Sequence, residues 1–304
     1  VPILLAIVWG SGIGGFGSPL GGSANLVAIS YLENICGHEF MYIDWVSRFL
    51  PFLILTMLLN LAILVAIKLP VKKLANTKDY FNDMYKQLGP MSKGEKIGLG
   101  LFIISTVLAF ARPLFAEALP ALRPAYIFFI CGLLTFMLHD EEGKVLLTWK
   151  QAEKELMWGM FFLFAGGLAL GKLVTGTGAA TKLADVITVM PLTGGIETIF
   201  AFTAFSTILT EVSSNTAAAS IAIPIIQSIS EALGLNAVPY ILVTIVAVNC
   251  AYILPVSTRA IPIGYGLEPS ELFRHGVLLS ALNVILTTVV GYFFINYWPA
   301  FGQI

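Results

Sequence analysis

Long apolar runs without charge decide what this chain can fold into. A helix needs about 20 apolar residues to cross the roughly 30 Å hydrocarbon core of a bilayer. The sequence offers several such stretches, the clearest from Asp44 to Leu69 and from Ser270 to Trp298. Composition agrees: 57% of the 304 residues are hydrophobic and 12% are charged, against about 25% charged in soluble globular chains. The chain reads as an all-α membrane protein that crosses the bilayer several times. In lipid, every backbone N–H and C=O needs a partner within the protein. The places where such helices break are therefore the informative ones.

Several function classes drop out early. The net charge of -1 is split between loops of opposite sign and so says nothing about partners; no nucleic-acid partner is expected of such a membrane chain. Cys36, Cys131 and Cys250 are scattered in or beside apolar runs; free thiols there act as small hydrophobes. His38, His139 and His275 stand apart from one another, so no metal cluster is expected. Gly12-Ile13-Gly14-Gly15-Phe16-Gly17 fits GxGxxG, but a dinucleotide site needs a preceding strand and a later acidic residue. Gly166 to Lys172 approaches a phosphate-binding loop, yet Leu173 stands where Ser or Thr would hold magnesium. An enzyme would need a nucleophile–base pair or a metal at membrane depth, and the sequence displays neither. No basic segment followed by a small-residue cleavage site opens the chain. It starts at Val1-Pro2 inside an apolar segment, which points to an upstream part.

Along the chain, residues 2–9 are expected to form a half-helix. A glycine-rich break follows from Gly10 to Asn25, and helix resumes at Leu26. Such a density of glycine disfavours continuous helix. After the Asp44–Leu69 span comes a loop with Lys68, Lys72, Lys73, Lys78, Lys86, Lys93 and Lys96. The positive-inside rule makes that loop cytoplasmic. Spans are then expected at Ile97–Phe115, Ala125–Leu138 and Leu156–Leu173, with His139–Glu155 cytoplasmic and an interfacial helix at Ala179–Met190. Gly195–Leu209 and Ala217–Leu233 flank a polar turn and read as a re-entrant hairpin entering from outside. Val238–Val256 is apolar and ends in a second break, Pro255 to Pro262. The Ser270–Trp298 span closes the chain, its C-terminus outside. Each end thus supplies a broken helix followed by a long span, in opposite senses, the signature of an inverted-repeat transporter. Residues 1–70 and 193–304 would form a transport domain and residues 71–192 a scaffold.

The polar turn Thr210-Glu211-Val212-Ser213-Ser214-Asn215-Thr216 carries the most chemistry. A hairpin tip offers free carbonyls from its first arm and free N–H groups from its second. Those N–H groups and the positive end of the helix dipole suit a carboxylate or another anion. Hydroxyl and amide groups can donate to that anion or turn oxygens toward a sodium ion. Ser257-Thr258-Arg259 is the second polar stretch. Arginine at membrane depth faces a cavity or a partner. Three readings of Arg259 stand open: a two-point grip on a carboxylate, a reach to the interface, or a structural pair with Glu211 or Glu268. Glu211 is expected to brace the hairpin, since it would repel an anionic substrate.

Taken together, these residues resemble the divalent anion:sodium symporter family of dicarboxylate and citrate carriers. The resemblance rests on Leu163 to Gly171, Thr210 to Ala217, Leu254 to Thr258, and the glycine-rich stretch through Gly21-Gly22-Ser23-Ala24-Asn25. It runs from end to end, but the family has two hairpins and only the second is recognisable here, as in the C-terminal part of a carrier. The resemblance implies a homodimer in the cell membrane, in which a transport domain slides past a scaffold (an elevator mechanism). It implies that Ser214, Asn215, Thr216 and Thr258 contact substrate, and Arg259 and Asn25, at the corresponding breaks, are candidate substrate-binding residues with them. It implies that Thr210, Ser213, Asn215 and Ser257 surround one sodium ion, and that Gly21 offers a carbonyl to another; no other cofactor is implied. The expected substrates are succinate, malate, fumarate and 2-oxoglutarate, with citrate or sulfate, or an anion channel, as alternatives. Two departures stand out: Pro-Pro-Asn is replaced by Ser23-Ala24-Asn25 and by Arg259-Ala260-Ile261. An arginine there can supply positive charge that sodium otherwise brings, so symport and dicarboxylate exchange both remain open.

Overall fold

The computed structural model describes residues 1–67, 77–156 and 192–303, with scattered positions between 157 and 191. The expected interfacial helix at 179–190, most of the 156–173 span with its glycine motif, and the first part of the lysine-rich loop lie outside the described residues. The chain divides into two compact units, residues 1–68 with 159–304 and residues 69–158.

The first unit begins with α1 (Pro2–Gly15), α2 (Ser23–Cys36) and α3 (Tyr42–Ala66). Here one expectation is corrected: α1 runs through the glycine-rich segment and stops only at Gly15. A continuous helix satisfies these backbone groups within the chain, as a span in lipid requires. The glycines instead permit close approach, since a Cβ at Gly12 would lie 3.1 Å from the Asn249 carbonyl oxygen. The true break, Phe16 to Gly22, is held by side chains reaching its carbonyls. Trp45 Nε1 donates to Phe16 O at 2.8 Å, and Asn25 Nδ2 donates to Gly15 O at 2.7 Å and Ser18 O at 2.8 Å.

In the second unit, α4 (Thr77–Leu88) precedes α5 (Lys93–Phe110), which opens on a capping box between Ser92 and Glu95. The single-turn α6 (Arg112–Phe115), α7 (Pro124–Leu134) and α8 (Trp149–Glu155) follow. Two expected spans are shorter than read from the sequence. Pro113 cannot continue α5, so that helix ends at Phe110, and Arg112 folds the turn by donating to Leu119 O at 3.1 Å and Pro120 O at 3.0 Å. α7 stops at Leu134 because the chain doubles back: Asp140 accepts from the Glu142 and Lys144 amides, with Gly143 at φ 73°.

The first unit resumes with α9 (Ile196–Val212), α10 (Asn215–Ala232) and α11 (Ala237–Asn249). A 3-10 turn (Ser257–Ala260), α12 (Ile261–Gly264), α13 (Pro269–Tyr297) and α14 (Pro299–Gly302) complete it. Among the described residues, α3 and α13 are long and apolar enough to cross a membrane. At about 1.5 Å per residue, their 25 and 29 residues exceed the hydrocarbon thickness. α11 is the hub, buried along its whole length and packed against α2, α9, α10 and α13. Arg48 ties the chain's end to α3. Its guanidinium donates to the carbonyls of Phe301, Ala300 and Gln303 and pairs with Asp44 at 3.1 Å.

The second break also starts earlier than the sequence indicated. α11 ends at Asn249, and residues from Cys250 to Val256 are unwound. α13 presses on that strip at Gly276, where a Cβ would lie 2.7 Å from the Tyr252 carbonyl carbon and 2.9 Å from Ile253 Cα. Gly276→Val is expected to destabilise the fold by about 1–3 kcal/mol, the usual cost of overpacking. A melting curve of the purified variant checks this, and an unchanged midpoint would remove the close contact.

Candidate functional site

The hairpin tip forms because two helices meet head to tail with only Ser213 and Ser214 between them. Ser213 is extended, and its hydroxyl donates to Leu209 O at 2.6 Å, covering one of the orphan carbonyls at the end of α9. Ser214 is the N-cap of α10, its Oγ accepting from the Ala217 amide at 3.2 Å. The expectation placed the arms at 195–209 and 217–233. The helices extend further, so that Thr210 and Glu211 lie in the last turn of α9 and Asn215 and Thr216 in the first turn of α10.

That first turn of α10 meets the first turn of α2. The hydroxyls of Ser23 and Thr216 are hydrogen-bonded to each other. Two helix N-termini therefore converge, and helix geometry leaves the first amides of each without an intrahelical acceptor. Residues of both N-termini line a cavity of about 210 Å³, Gly21, Gly22, Ser23, Ser214, Asn215 and Thr216 among them. It is small beside the roughly 300–1,000 Å³ of drug-sized pockets. Two positive dipole ends and several hydroxyls are groups that suit a small polar anion.

Oxygen groups gather beside and beneath this cavity. α1 and α11 end at this cavity, contributing Gly15 and Asn249. Thr210 Oγ1 lies 3.0 Å from Asn215 Oδ1 and 2.7 Å from Val248 O. One hydroxyl proton serves only one acceptor at a time. The grouping of hydroxyl, amide and carbonyl oxygens fits a hard cation, which binds through oxygen.

Ser214, Asn215, Thr216, Gly21 and Arg259 line the cavity. Asn25 does not: it is fully buried behind the wall, its Nδ2 spent on Gly15 O and Ser18 O and its Oδ1 accepting from Asn249 at 3.0 Å. Its position makes it the clamp of the first break. Thr210 is buried beneath the tip. Ser213 faces back along α9 through its bond to Leu209 O. The backbone of Ser257 and Thr258 lies in the 3-10 turn, and the expectations for their side chains lie outside the described residues.

Glu211 braces, as expected, but what it holds is the second break. Its carboxylate accepts from the amides of Tyr252, Ile253 and Leu254 at 2.7, 3.0 and 3.2 Å. Of the readings open for Arg259, the structure forms the pair with Glu211, at 3.3 Å, with both side chains almost entirely buried.

Asn249 was missed by sequence reading, having stood inside an apolar run taken as continuous. Its Nδ2 joins Asn25 to α11, and its Oδ1 lies beside Gly15 and Gly22, where added Cβ atoms would meet it at 3.2 and 3.3 Å. A lone amide just before the break was the available signal. Ser23 was noted only as a departure from the family pattern. Its place at the start of a helix was the clue to its role.

A helical membrane protein whose broken helices bring their ends to one polar cavity has the build of a secondary transporter. The sequence matches the family model described as "Sodium:sulfate symporter transmembrane region" over residues 3–304, and the chain belongs to that divalent anion:sodium symporter family. It is 27% identical to a sodium-dependent dicarboxylate transporter of Staphylococcus saprophyticus, across 96% of this chain and 58% of that protein. It is 30% identical to an uncharacterised transporter of Haemophilus influenzae, across 96% of this chain and 62% of that protein. A sodium-dependent dicarboxylate transporter of Staphylococcus aureus is 28% identical, with 96% and 58% covered. The chain thus spans about three fifths of the length of these curated relatives. They are transporters, not enzymes.

Proposed function

We propose that this protein is a secondary carrier of small dicarboxylates, with succinate, malate, fumarate and 2-oxoglutarate as its substrate class. The carrying observation is the convergence of the α2 and α10 N-termini, tied by Ser23 and Thr216, on one small polar cavity. Ser214, Asn215, Thr216 and Thr258 are assigned to the substrate. Thr210, Ser213, Asn215, Ser257 and the Gly21 carbonyl are assigned to sodium as coupling ion. The named activity of the staphylococcal relatives supports the choice of dicarboxylate and of sodium. Sodium symport and dicarboxylate exchange are the two mechanisms within this reading.

An elevator cycle in a homodimer goes with it, residues 1–70 and 193–304 moving as transport domain past a scaffold of residues 71–192. The division of the chain into two compact units supports the first of these boundaries, at 68/69, whereas its second falls at 158/159 rather than 192/193. The positive-inside rule would place the lysine-rich loop 68–96 in the cytoplasm and, with the span count, the C-terminus outside the cell membrane.

The test is uptake of labelled succinate by proteoliposomes holding the full-length protein, with and without a sodium gradient and internal dicarboxylate. Saturable uptake that follows one of these is expected. Uptake indifferent to both rejects the carrier. Sulfate is favoured as a second substrate by the family's description, and competition by sulfate in the same assay decides it. Unitary currents would replace the carrier with an anion channel.

A further inference from the structure

We infer that the Arg259 guanidinium is a tethered cation, built into an oxygen-lined cation position beneath the hairpin tip. Its three nitrogens each donate to a protein oxygen, two in the last turn of α9 and one in the unwound strip. Nη2 donates to Thr210 O at 3.1 Å, in the last turn of α9, and Nε to Val256 O at 3.1 Å, in the unwound strip. Nη1 donates to Glu211 Oε2 at 3.3 Å. Two carbonyls and a carboxylate at the negative end of a helix are what a mobile hard cation would bind. The Thr210 hydroxyl and Asn215 amide oxygens adjoin them.

The alternatives fit less well. A side chain reaching the interface would not be 5% exposed, and a fork aimed wholly at substrate would not commit three of its five N–H donors to protein oxygens. The guanidinium still borders the cavity, so its charge acts on whatever anion sits there. Because arginine does not deprotonate and is covalently held, this position stays positive through a transport cycle. If the carrier reading above holds, the protein moves substrate with one fewer mobile cation on this side of the cavity.

Removing the guanidinium leaves Glu211 buried with an uncompensated charge and a vacant set of oxygens. A sodium ion can then take the position. The experiment is a melting curve of the purified full-length protein, titrating sodium chloride against choline chloride at constant ionic strength. In choline, Arg259→Ala is expected to melt below wild type. At a hundredfold excess of sodium over its Kd, the variant should recover roughly 5 °C more than wild type gains. Arg259→Lys, which keeps a positive charge, should follow the wild-type sodium curve. Parallel curves for Arg259→Ala and wild type overturn the proposal. Should that variant fail to fold in choline, its yield when purified in sodium is the readout: recovery supports the proposal and equal loss overturns it. In liposomes, succinate uptake by Arg259→Ala should depend more steeply on sodium. Absence of wild-type uptake together with an added sodium response in the variant would sink the carrier reading and leave the tethered cation standing.

Discussion

Asn215→Ala is expected to reduce succinate uptake at least about 30-fold while leaving the protein folded. Asn215 is the first residue of α10 and lines the cavity, and its Oδ1 lies 3.0 Å from Thr210 Oγ1. Its amide thus stands between the N–H side of the site and the oxygen side, and one truncation weakens both. A hydrogen bond to a charged partner contributes about 1.5–3 kcal/mol, and 2 kcal/mol corresponds to roughly 30-fold. The stability cost is one neutral hydrogen bond near a helix end, about 0.5–1.5 kcal/mol. Initial uptake rates at matched protein density, read beside a melting curve, separate the two effects. Wild-type transport in the variant refutes the site, and loss of folded protein assigns Asn215 to the scaffold of the tip instead.

Much of this architecture is legible in the sequence, and the parts that are not share a cause. α3 and α13 are read almost to the residue because length and apolarity are sufficient for a membrane span. The hairpin tip is read because Ser213 to Thr216 interrupt two apolar arms. Both helix breaks are placed wrongly at one edge. Glycine propensity predicts a break from Gly10, but α1 stays helical to Gly15, which satisfies its backbone groups within the helix. In the other break, Cys250 to Leu254 look like ordinary apolar helix, yet they are unwound. What unwinds them is a carboxylate distant in sequence, Glu211, which offers their amides a better partner than the next helical turn. No local pattern records that. Asn25 and Asn249 show the same limit: each is a lone amide in sequence, and only the fold makes them a linked pair.

Glu211→Gln is accordingly expected to destabilise the protein more than any change in the cavity lining, by about 3–5 kcal/mol, the usual cost of stripping one partner from a buried ion pair. The substitution is nearly isosteric, so packing is retained and the loss is electrostatic. The carboxylate accepts from three consecutive amides and from Arg259, with Ser280 Oγ 3.5 Å away. Glutamine has one carbonyl oxygen. Its amide nitrogen would either face the Ile253 and Leu254 N–H groups and the guanidinium, or face the Tyr252 N–H. Donor would meet donor in both orientations, and Arg259 would be left buried without a counter-charge. Adding Arg259→Gln removes that unpaired charge, so the double variant is expected to recover about 1–3 kcal/mol of the single variant's loss. Melting midpoints of wild type, both single variants and the double variant, all in choline chloride, form the cycle. A double variant no more stable than Glu211→Gln alone would mean that the amides of Tyr252 to Leu254, and not the guanidinium, are what the carboxylate is there to hold.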